Sequence, residues 1–207
     1  MYVNIAPTKA NLIKSKSMLS FSRNGFDLLD KKRNVLIREM MGLVSYAEAV
    51  QEKIDTYFKE AYDALQFSNI TMGLNTVEEI AITIPKDEDY QVLLRSVMGV
   101  EIPQVKYTKE ELKPAYGFFR TNATFDVSVK RFNEVKYLIY DLAEIETSIY
   151  KLAMEIKKTQ KRANALEKIQ IPKYKGLVKY ITESLEEKER EDFFRLKKVK
   201  SKTKGKG

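Results

Sequence analysis

Apolar residues recur at alternating steps of three and four between Leu12 and Ala64. Such a sustained repeat is the pattern of a left-handed coiled coil, in which the apolar stripe of one helix packs against that of a partner helix. The pattern predicts a helix that begins at Thr8, a possible capping residue, and ends near Ser68. The predicted seam residues of this helix are Leu12, Leu19, Phe26, Leu29, Leu36, Met40, Leu43, Val50 and Ile54.

The same spacing returns from Val135 to Leu166 and predicts a second helix, which begins near residues 122–124 and ends near Leu196. Pro172 falls inside this helix, where a proline removes one backbone hydrogen bond and clashes with the preceding turn. We therefore expect a kink at Ile171 and Pro172. The predicted seam residues of the second helix are Leu138, Leu142, Ile145, Ile149, Leu152, Ile156 and Leu166.

Neither helix can bury its apolar stripe alone, so the two should pack against each other. The predicted fold class is mainly α: a long antiparallel two-helix coiled-coil hairpin with a small β-containing head inserted between the helices. If Ser68 lies opposite Asn122, the numbers of paired residues sum to about 190 along the hairpin. Ser15 would then lie near Tyr174.

Arg33 is a charged residue within the first apolar stripe. Two interpretations stay open at this point. The side chain can extend out of the interface and keep its charge in water, or it can act as a polar residue that sets the register of the two helices.

The segment between the helices differs in kind from its flanks. Short β-branched runs bounded by glycine and proline predict strands at 80–84, 97–103 and 105–107. The tail reads Ser-Lys-Thr-Lys-Gly-Lys-Gly, a composition that cannot bury surface and is typical of disorder. The predicted division is a helix over 1–70, a head over 71–120, a helix over 121–200 and a disordered basic tail over 201–207.

The net charge of +8 is concentrated at the two ends of the chain. Because the hairpin would fold back on itself, both basic ends should meet at one pole. A basic pole favours an acidic partner, which can be nucleic acid, anionic lipid or an acidic protein surface. The residues predicted to form this basic pole are Lys9, Lys14, Lys16, Arg195, Lys197 and Lys198.

The chain contains no Cys, His or Trp, which excludes disulfides, Cys or His metal sites and triads that need His or Cys. Neither a GxxxxGK[ST] loop nor a GxGxxG turn is present. The sequence therefore predicts no catalytic, cofactor or metal site, and its N-terminus has no signal-peptide pattern. The residues alone leave three classes open: a mechanical or scaffold subunit, a nucleic-acid- or ribosome-binding helical hairpin, and a membrane-surface protein.

Four motifs resemble the D subunit of the A-type and V-type ATPases. The most specific is Thr-Gln-Lys-Arg-Ala-Asn-Ala-Leu-Glu at 159–167, followed by Ile171-Pro172. The others are the segments at 7–12, 25–33 and 189–200, so the resemblance covers almost the whole chain in order. Lys161 and Ala163 depart from the arginine and valine usual in the family, and the head at 71–120 matches loosely.

This resemblance implies a central rotor axle that passes torque between ATP turnover in a ring of A-type and B-type subunits and proton or sodium transport. It also implies contacts with the F subunit at the side and with a funnel-shaped subunit at the base. The expected location is peripheral, on the cytoplasmic side of the membrane. ATP chemistry would occur in the ring, so no cofactor is expected here. The resemblance favours the mechanical class over nucleic-acid binding.

Overall fold

The structure, a computed structural model, describes residues 5–84, 90–109 and 116–204, and the side chains within these ranges up to Lys202. This part of the chain is mainly helical, with a small two-stranded antiparallel sheet between helices, so the predicted fold class is confirmed. In chain order the elements are α1 (Lys9–Met72), α2 (Leu74–Thr83), β1 (Tyr90–Val97), β2 (Val100–Tyr107), a 3₁₀ turn (Phe118–Arg120), α3 (Ala123–Ala165), a π-helix (Leu166–Gln170) and α4 (Ile171–Lys204).

The described residues separate into two compact units. Unit 1 contains the residues up to Asn34 and those from Lys157 onward, and unit 2 contains Val35–Ile156. Helix α1 begins in unit 1, where the Thr8 hydroxyl accepts a hydrogen bond from the Asn11 backbone N–H at 3.3 Å. This bond satisfies one of the free N–H groups of the first turn, which confirms Thr8 as the capping residue.

In unit 2, α1 and α3 run antiparallel. The Ser128 hydroxyl donates to the Ala61 carbonyl at 3.1 Å, and the Ser68 hydroxyl donates to the Thr124 hydroxyl at 3.3 Å. The numbers of these partners sum to about 190, which confirms the predicted register in this unit. Between the helices, an apolar cluster buries Val50, Ile54, Val135 and Ile145.

Unit 1 shows the same antiparallel register near its α1–α3 contacts. Arg33 donates to Gln160 at 2.6 Å, and a Cβ placed on Gly25 would lie 3.5 Å from the Leu166 Cδ1. Lys9 and Glu189 form an exposed ion pair 3.3 Å long. The sum of their residue numbers exceeds 190 by about two helical turns. The proximity of Ser15 to Tyr174 stays a prediction, although Ser15 is buried.

The strand expected at 80–84 is wrong, because this segment lies mostly in α2. Gly73, whose φ is 86°, separates α1 from α2 in a conformation that costs glycine little. Val77 is the buried residue of the short helix. Half-buried Ile80 follows Val77 by three residues, the spacing of one helical face, whereas Ile82 is exposed, so local β-propensity does not decide this segment. Pro85, expected to end the strand, lies outside the described residues.

The strands expected at 97–103 and 105–107 fall mostly in one strand, β2, which begins at Val100. Its partner β1, which ends at Val97, was not predicted. The chain reverses at Met98 and Gly99, whose φ values of 51° and 78° fit a two-residue hairpin turn. Pro103 lies within β2, opposite Leu94. Residues at alternate positions of an antiparallel pair point their N–H groups away from the partner strand, so Pro103 costs no ladder bond there.

The interruption expected at Ile171 and Pro172 occurs one turn earlier, as the π-helix at Leu166–Gln170. The Ile171 N–H donates to the Leu166 carbonyl five residues back, and Pro172 then lies in the first turn of α4. A proline has no N–H to donate to the helical ladder, and here it directly follows the π turn that interrupts this ladder. Helix α4 continues to Lys204, and 205–207 lie outside the described residues, so the disorder of the tail stays a prediction.

Candidate functional site

The predicted seam residues lie away from solvent. Each is buried or half-buried, and the fully buried ones are Leu36, Val50, Ile54, Ile145 and Leu152. In unit 2 they form two clusters, and the second of these joins Leu36 and Leu152 to Val100 and Ile102 of β2. The small sheet is therefore anchored to the helix pair by the same apolar stripe that pairs the helices.

The predicted basic pole lies in unit 1, and all six of its side chains are exposed. Lys9 pairs with Glu189, and Arg195 pairs with Glu191 of its own helix at 3.7 Å. The Lys9 contact places the beginning of α1 beside α4, within two turns of Arg195. The surface is mixed in charge around Glu189 and Glu191 and basic from Arg195 onward, where it suits acidic groups.

The end of α4 also carries an apolar surface that was not predicted. All residues from Glu186 to Lys202 are exposed. The basic residues of this segment predicted a basic surface, whereas the aromatic and aliphatic residues between them, also present at helical spacing, were not predicted to be exposed. We call them the α4 apolar residues: Phe193, Phe194, Leu196 and Val199.

A second apolar surface lies in unit 2, where α1 ends and α3 begins. The Asn122 side chain donates to the Thr71 hydroxyl at 2.6 Å, which ties these two helix ends together. Near this point Phe119 is 98% exposed. Several other large apolar side chains of this part of unit 2 are exposed as well, and groups of exposed apolar residues are typical of interaction sites. We call this set the apolar end: Phe67, Ile70, Leu74, Ile82, Phe118 and Phe119.

The hairpin of β1 and β2 is held on α3 by polar and aromatic contacts. The Tyr107 hydroxyl donates to Asp141 at 2.8 Å, and the Val105 N–H donates to the Glu144 carboxylate at 2.6 Å. The Tyr107 ring stacks on Tyr137, with 5.2 Å between centroids. Burial, followed by the hydrogen bond to Asp141, raises the pKa of Tyr107 to about 12, so the phenol stays protonated at neutral pH.

An open groove of about 430 Å³ lies between α1 and α3 of unit 2. Ala47 and Leu142 form its apolar part, and Glu48, Glu52 and Glu146 are the acidic residues along it. Within the described ranges, none of these three carboxylates forms an ion pair. Such a groove suits a basic protein surface rather than a small-molecule substrate.

In the described part of the chain, no group of three carboxylate, His or Cys side chains is placed to hold a metal ion. The helices there also lack a stretch long and apolar enough to cross a bilayer. The candidate functional sites are therefore surfaces of the paired helices: the basic pole, the α4 apolar residues, the apolar end and the acidic groove.

Arg33 does not extend into solvent. Its Nη1 donates to the Gln160 Oε1 at 2.6 Å, and its Nη2 lies 2.5 Å from the Asp30 Oδ1. Gln160 in turn donates from Nε2 to the Asn164 Oδ1 at 2.8 Å. These side chains form a continuous polar contact between α1 and α3 within unit 1. It joins two of the segments on which the family resemblance rests, 25–33 and 159–167.

Comparison with known proteins gives one consistent family. The family model for the D subunit of ATP synthase matches residues 11–201. The V-type ATP synthase D subunit of Thermotoga neapolitana is 42% identical over 200 residues, which cover 97% of this chain and 98% of the relative. The A-type ATP synthase D subunits of Pyrococcus furiosus and Methanobrevibacter smithii are 35% and 37% identical, over 96% and 95% of this chain and 94% and 87% of the relatives.

Proposed function

The chain belongs to the family of ATP synthase D subunits, and from this premise we propose that it is the central axle of a rotary ion-translocating ATPase. Membership makes it a subunit of an ATP synthase complex. In the proposed role the chain passes torque between ATP turnover in a ring of A-type and B-type subunits and proton or sodium transport. The observation that carries the proposal is near full-length similarity to D subunits in a chain built of long paired helices.

Paired helices suit the transmission of torque. A single helix bends and twists easily, whereas two helices joined by interlocking side chains must break those contacts before they can turn independently. In unit 2 the contacts include two apolar clusters and a hydrogen bond from Ser128 of one helix to Ala61 of the other. The axle needs no catalytic group, because the bond to be hydrolysed or formed lies in the ring.

The basic pole and the α4 apolar residues are the proposed contacts with the ring. An axle turning past equivalent stations needs contacts that form and break easily. Exposed charge pairs contribute about 0–1 kcal/mol each, so Lys14, Lys16 and Lys197 against acidic loops suit this need. Apolar side chains such as Phe193 can contribute to binding without fixed partners, because the hydrophobic effect is not directional.

Other partners are proposed for the surfaces of unit 2. The apolar end is the proposed contact with a funnel-shaped subunit that joins the axle to the membrane rotor. The acidic groove beside Glu48 and Glu146 is the proposed contact with the F subunit. These partners make the chain a peripheral component on the cytoplasmic side of the membrane. The head around β1 and β2 is proposed to adjust ATPase rate or partner docking rather than to hold the axle together.

Reconstitution with and without this chain tests the proposal. Ring subunits, an F subunit, the funnel-shaped subunit and the membrane sector would be co-expressed, with a single cysteine introduced into this cysteine-free chain for a rotation probe. We expect ATP-driven rotation of the probe, and loss of ATP-driven ion transport when the chain is left out. Full ion transport without the chain, or its failure to co-purify with the ring, would contradict the proposal.

A further inference from the structure

We propose that Arg33 is a positioning residue that sets the axial register of α1 against α3 in unit 1. Gln160 is its acceptor across the interface, and Asp30 and Asn164 hold the two side chains in place. The register of the helices is a property of the chain itself. Its importance for torque rests on the proposed function as an axle.

An apolar stripe does not specify register by itself. Because the stripe repeats every seven residues, a slip of seven returns apolar residues to apolar positions at little cost. A polar pair inside the stripe reduces this degeneracy, since a slip that sets an apolar residue against it leaves its members without partners in a partly desolvated place. A slip of seven in one direction would set Arg33 against Ala153, and this is the slip that the pair disfavours; the slip in the other direction would set Arg33 against the Glu167 carboxylate.

The geometry of Arg33 is that of a residue which sets register rather than that of a residue in a surface ion pair. Its side chain is only 23% exposed, and Asp30 is 33% exposed. The Nη2 that contacts Asp30 also donates to the Asn34 Oδ1 at 3.3 Å. With Asp30 and Asn34 on one side, the planar guanidinium is held in orientation, and Nη1 is left to meet the Gln160 amide oxygen of the other helix.

The partner on α3 is equally constrained. The Gln160 Nε2 donates to the Asn164 side chain one turn further along, which fixes the direction of the amide so that its oxygen faces Arg33. Its neighbour Thr159 is buried at the interface. Loss of Arg33 would therefore leave a constrained acceptor without its donor, rather than free it to turn toward water.

A separate feature shows why register needs to be set at this place. The α-helical ladder of α3 ends at Ala165, and the π-helix begins at Leu166, opposite Gly25. A π turn changes the phase of every side chain beyond it and is frequent at functional sites. Arg33 and Gln160 fix the helices just before this change. An error in register there would carry into the remaining helix pairing of unit 1.

Cysteine cross-linking in the purified full chain tests register directly, because the chain has no cysteine of its own. Gly25→Cys with Leu166→Cys reports the observed register, since the Cβ of residue 25 lies near Leu166. Gly25→Cys with Thr159→Cys reports the slip of seven residues that sets Arg33 against Ala153. Each pair would be oxidised in the parent chain, in Arg33→Met and in Arg33→Lys, with circular dichroism as a check of helicity.

In the parent chain we expect the observed-register pair to form and the slipped pair to stay minor. Arg33→Met should raise the slipped fraction roughly fivefold or more, the scale expected for leaving one partly buried acceptor unpaired. Arg33→Lys, which keeps the charge but loses the planar fork, should give an intermediate value. An unchanged slipped fraction in helical Arg33→Met would overturn the proposal.

Two further variants keep the test decisive if Arg33→Met unfolds. Gln160→Met removes only the acceptor and should raise the slipped fraction in the same way, while Arg131→Met removes a cross-helix arginine of unit 2 and should leave it unchanged. Equal effects of Gln160→Met and Arg131→Met would mean general loosening and contradict the proposal. Ion transport per ATP in the reconstituted complex is measured separately. Loss of transport there with an unchanged slipped fraction would contradict the proposed role as an axle, and not the proposed role of Arg33 in setting register.

Discussion

The two units differ in the large aliphatic residues that they bury between α1 and α3, although both also bury serine or threonine side chains there. Unit 2 buries large aliphatic residues such as Leu36, Val135 and Leu152 in continuous clusters. Unit 1 buries Ser15, Ser22, Thr159 and Ala163, and places the Arg33 contact between its helices. Unit 1 also buries Leu177 and Ile181 in the first third of α4, but none of its fully buried residues in α1 and α3 is a large aliphatic one.

The difference separates two properties that are often treated as one. Apolar clusters supply most of the free energy that holds helices together, but they do not distinguish one register from another. Polar contacts supply little net free energy but strongly disfavour the wrong pairing. Unit 2 is therefore expected to supply stability, and unit 1 to supply specificity.

The largest expected effect is the loss of a buried side chain in unit 2. Leu36 is 0% exposed and packs against Leu152 and the sheet. Leu36→Ala should lower the free energy of unfolding by about 3 kcal/mol, because it removes apolar contacts and leaves a cavity. Urea denaturation of the purified chain measures this. The matched control is Leu166→Ala in unit 1, a half-buried site where about 1 kcal/mol is expected. Equal losses at the two sites would remove the distinction between the units.

A smaller effect is expected from two buried serines. The Ser128 hydroxyl donates to Ala61 of the other helix, whereas the Ser22 hydroxyl donates to Met18 of its own turn at 2.8 Å. Ser128→Ala should cost about 1 kcal/mol, because a buried contact between helices is lost. Ser22→Ala should be nearly neutral, since the helix keeps its backbone bond without the hydroxyl. Thermal unfolding of both variants decides this, and a larger loss for Ser22→Ala would reverse the interpretation.

Arg131 provides a test of the charged contacts in unit 2. It bridges Glu60 at 2.8 Å and Glu134 at 2.7 Å, and its guanidinium lies 5.0 Å from the Tyr57 ring centroid. Because these contacts are partly solvated, Arg131→Met should lower the free energy of unfolding only slightly, and the loss should shrink as salt rises. Denaturation at low and high salt measures it. A loss that is large and independent of salt would place Arg131 among the stability-determining residues.

The smallest effect should appear only in alkali. The pKa of Tyr107 is raised from 10.0 to about 12 by burial and by its bond to Asp141, so the folded state holds the phenolic proton more tightly than the unfolded chain. The associated stability is complete below pH 10 and is lost as the pH rises through 12. Tyr107→Phe should therefore show a weaker fall in unfolding free energy over this range than the parent chain. Parallel curves for the two proteins would contradict this assignment.

The long helices could be predicted because their signal is repeated over many turns. The heptad pattern from Leu12 onward predicted α1, although the helix runs past Ser68 to Met72. The short segments of the head lack such repetition, and the strands predicted for them were partly wrong. Ile80 to Thr83 carry β-branched residues but pack as a helix, and β1 was missed because polar Gln91 and Arg95 interrupt its apolar residues.

The exposed surfaces could also be predicted only in part. Charge is visible in any sequence, so the exposed positions of Lys9 and Arg195 could be anticipated. The exposure of Phe193 could not, because an aromatic residue at helical spacing is more often buried than exposed. The contact between Arg33 and Gln160 joins residues far apart in sequence, and only the folded helices bring them together.

The two edges of the small sheet are unequal, and this matters for the protein before assembly. On β2, Pro103 has no N–H to offer and the N–H of Val105 is bonded to Glu144, so this edge accepts no further strand easily. On β1, Val92 and Leu94 are exposed, and within the described ranges neither a proline nor a side-chain hydrogen bond protects this edge. Open apolar edges of this kind seed aggregation. Newly made chains are therefore expected to need prompt capture by their partners in the complex, and excess free chain is expected to precipitate through β1.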